Sequence, residues 1–81
     1  MKKINSIEEL KEESKDGAEF FILLNGNLRS SKRIWYDEDA KHFEVINYID
    51  DSEQALSEEE IMDEKFTNIG EAMKKGALFK D

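Results

Sequence analysis

The run Phe20-Phe21-Ile22-Leu23-Leu24 leads directly into Asn25-Gly26, and no other feature constrains the fold as strongly. A two-residue type I′ turn needs positive φ at both central positions, which Asn and Gly tolerate and most other residues do not. A strand-like run ending in this dipeptide therefore predicts a tight hairpin, with strands over about 18–24 and 28–36. Asp37-Glu38-Asp39-Ala40 reads as the next turn and 41–49 as a third strand. A four-residue loop there sets Ile34 opposite Phe43 and Arg33 opposite Glu44, whereas a three-residue loop would oppose Ile34 to Glu44. Apolar matching and the opposite-charge pair favour the first register.

Helix signals flank this meander. Ser6 with Glu9 forms a capping-box pattern for a helix over about 7–15, and Gly17 fits its C-terminal cap. Ser57 with Glu60 repeats the pattern for a helix ending near Lys65, and Asn68 with Glu71 repeats it for one ending before Gly76. Ala55-Leu56 fits a short extended piece, and Ala77-Leu78-Phe79 fits a short edge strand or a packed tail. The expected fold is α+β: a small antiparallel three-stranded meander, with room for a fourth short strand, an N-terminal helix and two short C-terminal helices. At 81 residues the chain, 1–81, reads as a single domain with a small core.

Composition removes several classes of function. There is no Cys, so neither a disulfide framework nor a thiolate metal site is available. The longest apolar run has five residues, far short of the ~20 that cross a bilayer. Glu8 and Glu9 interrupt the N-terminal segment before any signal-peptide core, and the expected location is cytoplasmic. The single His42 has no partner nucleophile in its neighbourhood. Ser31 and Lys32 are adjacent in a strand and point to opposite faces, so they do not form a Ser/Lys pair. An EF-hand loop starting at Asp37 would want Gly and Glu where His42 and Tyr48 stand. Neither cofactor nor metal is expected. Arg29, Lys32 and Arg33 beside Trp35 and Tyr36 suggest a nucleic-acid surface, but alternation splits them between two faces. The net charge of −8 also repels nucleic acid, so direct binding is not expected.

That charge is unevenly spread. Residues 34–64 hold twelve acids against a single lysine, so this third carries all of the excess. In the preferred register, Phe21, Leu23, Leu28, Ile34, Phe43, Val45 and Ile49 share one sheet face. Phe20, Ile22, Leu24, Trp35, Ile46 and Tyr48 share the other. Both faces are apolar, so either helices cover both or one stays partly open as an interface.

The function these features favour is a non-catalytic interaction domain. It would bind a basic protein partner, or a second copy of itself, through an apolar sheet patch anchored by Trp35, Tyr48 and Ile46. Acids at Asp37, Glu38 and Asp39, at Asp50, Asp51 and Glu53, and along 58–64 would rim the patch and steer encounter. An acidic decoy that imitates nucleic acid is the alternative. A small carboxylate-dependent enzyme or ligand-binding protein is a second one.

Overall fold

In the computed structural model, which describes residues 1–81, Asn25 (φ 53°) and Gly26 (φ 78°) both adopt the left-handed conformation that the turn requires. The strands are β1 (Lys2–Lys3), β2 (Ala18–Leu24), β3 (Asn27–Asp37), β4 (His42–Asn47), β5 (Ser52–Ser57) and β6 (Leu78–Lys80). The helices are α1 (Ile7–Ser14), α2 (Glu58–Ile61) and α3 (Ile69–Lys74).

The three-stranded meander expected from the sequence is replaced by a six-stranded antiparallel sheet in the order β1-β6-β2-β3-β4-β5. The extra strands are those whose residue types announce a strand least. β5 is an edge strand in which Leu56 alone is buried, so only its Ala55-Leu56 piece reads as extended in the sequence. β6 has three residues and is held by its neighbours, pairing Phe79 with Phe21 on β2 and with Lys3 on β1.

A bulge in the first hairpin reassigns the two faces. Leu24 pairs with Asn27 and Leu23 with Leu28, but Ile22 pairs with Ser30, so Arg29 is left out of the ladder. One extra residue turns the rest of β2 over relative to β3. Phe20 and Ile22 now share a face with Ile34, Phe43 and Val45, and Phe21 and Leu23 go to the other side. This reverses the assignment of β2 made from a bulge-free hairpin.

The second hairpin is shifted by two residues from the expected register, which preserves the faces. Ile34 opposes Val45, Trp35 opposes Glu44 and Tyr36 opposes Phe43. Asp37 stays in the strand because its carboxylate accepts from the amides of Asp39 (3.0 Å) and Ala40 (3.2 Å). Lys41 (φ 56°) closes the turn, donating its amide to the Asp37 carbonyl at 2.8 Å. The shift brings the Tyr36 and Phe43 rings to 4.7 Å between centroids.

All three helices pack on the same side. Leu10 of α1, Ile61 of α2, and Ile69, Ala72 and Met73 of α3 are buried in one cluster with Phe20, Ile34, Phe43 and Val45. Ser6 caps α1 by accepting from the Glu9 amide, and a full capping box starts α2. α2 stops at Ile61 rather than near Lys65, because the Asp63 carboxylate accepts from the Lys65 amide and starts a new turn. Asn68 makes no side-chain cap, and Thr67 Oγ1 instead accepts from the Ile69 amide at 3.4 Å. Gly70 lies where α3 meets the end of α2, and a Cβ there would stand 2.6 Å from Met62 Cα.

Candidate functional site

The bulge and the one-sided helices together leave one sheet face uncovered. Along β3 it presents Ser31, Arg33 and Trp35; along β4 it presents His42, Glu44 and Ile46. β2 contributes Glu19, Phe21 and Leu23, β6 contributes Phe79, and β5 contributes Glu53 and Ala55. Trp35 and Tyr48 are each 42% exposed, while Phe21, Leu23, Ile46 and Phe79 are partly so.

Polar contacts hold the aromatic groups in place. The Trp35 indole N–H donates to the carbonyl of Lys15, at the end of α1, at 3.1 Å. Glu19 Oε1 accepts from the Tyr48 hydroxyl at 2.9 Å and from Arg33 Nη1 at 3.2 Å. The bond to Glu19 pushes the Tyr48 hydroxyl pKa above its usual value, with desolvation adding to it. His42 Nε2 lies 2.7 Å from Glu44 Oε1, extending this row towards the second hairpin turn. Arg33, Trp35, Glu44 and Ile46 line an open groove of about 310 Å³, together with Asp16 and Gly17.

Trp35, Ile46 and Tyr48 are thus on one face. The acids divide into groups. Asp37, Glu38 and Asp39 sit at the β3–β4 turn, while Asp50 and Asp51 sit at the β4–β5 turn, at the opposite end of the strands. Glu53 lies on the open face opposite Ile46. Asp37 and Asp50 each accept backbone amides of their own turns. The Asp50 carboxyl is held below its usual pKa first by the Ser52 side chain and then by the bond from the Ser52 amide. The acids of 58–64 do not rim this face, because α2 packs on the covered side. There Glu58 pairs with Lys11 and accepts from the Tyr36 hydroxyl at 3.4 Å. No group of three acidic or histidine side chains converges as a metal-holding set.

One residue that sequence reasoning set aside stands out. Lys32 is 7% exposed and lies on the covered face, in line with Ser30, Ile34 and Tyr36. It donates to Asn47 Oδ1 and lines a polar cavity of about 430 Å³ beneath the β4–β5 turn. The signal was present in the strand alternation, which places Lys32 on the same side as Ile34. No family model, curated protein or solved structure matches the chain.

Proposed function

We propose that this chain is a non-catalytic interaction domain that docks a protein partner of basic surface character on its open sheet face. The observation that supports this most directly is the one-sidedness of the fold. Every helix packs on one side, while Phe21, Trp35, Ile46, Tyr48 and Phe79 stay accessible on the other. Accessible aromatic and aliphatic groups on a rigid sheet are the usual anchors of an interface. Trp35 has few rotamers to lose, and its indole is already oriented by Lys15. Charge selects the occupant. Two copies would each bring a net charge of −8, whereas a basic partner is drawn by the acids at both ends of the face. A cytoplasmic setting belongs to this reading, supported by a fold that uses no cysteine.

The test is capture of a partner from source-cell extract by immobilised protein, with Trp35→Ala run in parallel and followed by affinity measurement on the purified pair. Loss of a central tryptophan commonly costs about 2 kcal/mol or more, roughly thirtyfold in Kd. Reversing Glu53 and Asp39 to Lys should instead slow association and flatten its salt dependence. A partner that binds Trp35→Ala as tightly as the parent, or sedimentation showing a stable homodimer through this face, would overturn the proposal.

A further inference from the structure

We propose that Lys32 is a nucleophilic amine that captures small aldehydes or ketones as an imine within the cavity beneath the β4–β5 turn. The site is separate from the open face, since Lys32 lies on the helix-covered side of the sheet. Its surroundings are unusual for a lysine. None of the chain's ion pairs includes it, and its hydrogen bond goes to a neutral amide oxygen. That acceptor is fixed in place. The Asn47 side-chain nitrogen donates to Ser52 Oγ at 2.9 Å and to Gln54 Oε1 at 3.1 Å, which turns Oδ1 towards Lys32. Gln54 is anchored in turn by donating to the Phe66 carbonyl at 2.7 Å.

The ammonium form has three donors and is costly to bury without a counter-charge. Burial accordingly pushes the Lys32 pKa below its usual value, opposed by the charge of Asp50. Asp50 is the single other charged group lining the cavity, whose remaining walls include the neutral side chains of Ser52, Thr67 and Asn68. A desolvated lysine next to a cavity open to small molecules, which loses its proton and frees its lone pair more readily than an exposed one, is the arrangement that carbonyl chemistry uses. The amine lone pair attacks the carbonyl carbon and a C–N bond forms. The oxygen takes one proton from the amine and one from solvent, the C–O bond breaks, and water leaves. A protonated imine remains, with no change of oxidation state.

The test is reductive trapping on the intact chain. Propionaldehyde with cyanoborohydride at pH 7, followed by peptide mapping, gives a rate at each of the ten lysines. Lys32 should be alkylated faster than the unpaired Lys65 and Lys74, since a lowered pKa raises the free-amine fraction. Asp50→Asn removes the opposing charge while keeping an acceptor for the Ser52 amide, so it should speed trapping at Lys32 further. Lys32→Met should keep the melting temperature and lose this adduct alone. Trapping at Lys32 no faster than at Lys65 and Lys74, trapping only in urea, or no response to Asp50→Asn would each overturn the proposal.

Discussion

Two glycines show how differently a residue can be required. Gly26 has a left-handed backbone and open space around it, so any cost of replacing it comes from φ alone. Gly70 has an ordinary helical backbone, but its missing Cβ leaves room for the Met62 backbone. Gly26→Asn should therefore leave the urea midpoint almost unchanged, while Gly26→Val should cost about 1–2 kcal/mol. Gly70→Ala, ordinarily a stabilising change in a helix, should instead cost about 1–3 kcal/mol by forcing α3 off the end of α2. A Gly70→Ala protein with an unchanged or higher midpoint would contradict the close approach. Only the first requirement could be read in advance. Asn25-Gly26 is a local signal, whereas the role of Gly70 depends on a contact between α3 and the end of α2.

At the scale of elements, the hairpin and the caps at Ser6 and Ser57 were legible because each depends on residues within a few positions of one another. The bulge at Arg29 was not, because nothing local demands it. It follows from which β2 residues reach the core once β6 and the helices are in place. Phe20 and Ile22 are as apolar as Phe21 and Leu23, so either set could have faced inwards. The open face was legible only as one of two alternatives for the same reason. The bulge gives a sharp expectation. Arg29 is exposed, so Arg29→Ala should change stability by less than about 0.5 kcal/mol. Deleting Arg29 removes the extra residue of the bulge and should swap the inward and outward sets of β2, abolishing the cooperative unfolding transition. Near-ultraviolet circular dichroism and a urea titration would separate the two outcomes.

For the whole molecule, the charge of −8 does not imply sensitivity to mild acid. Glu13 and Asp50 are the carboxyls held below their usual pKa values, Glu13 first by its hydrogen bond to Lys2 and then by that to Lys80. A depressed carboxyl contributes stability above its ordinary value and loses it as pH falls through the folded one. The melting temperature should therefore hold or rise slightly from pH 7 to about pH 5, as repulsion among exposed acids eases, and then fall below about pH 4. Lys2 and Lys11 have raised values, caused first by their bonds to Glu13 and Glu58. Their contribution is complete below the ordinary lysine value and is lost as pH rises through the folded one, giving a second decline in strong alkali. A steady fall between pH 7 and 5 would contradict this account. The sheet order has a further consequence, for the time course of folding. β6 is the last of these elements to be synthesised, yet it lies between β1 and β2, the first two strands made. Until it emerges, the outer edge of β2 stays unpaired and β1 has nothing to join. Such distant pairings place folding in the slower range, milliseconds to seconds, and leave the nascent chain reliant on its charge to avoid edge-to-edge association.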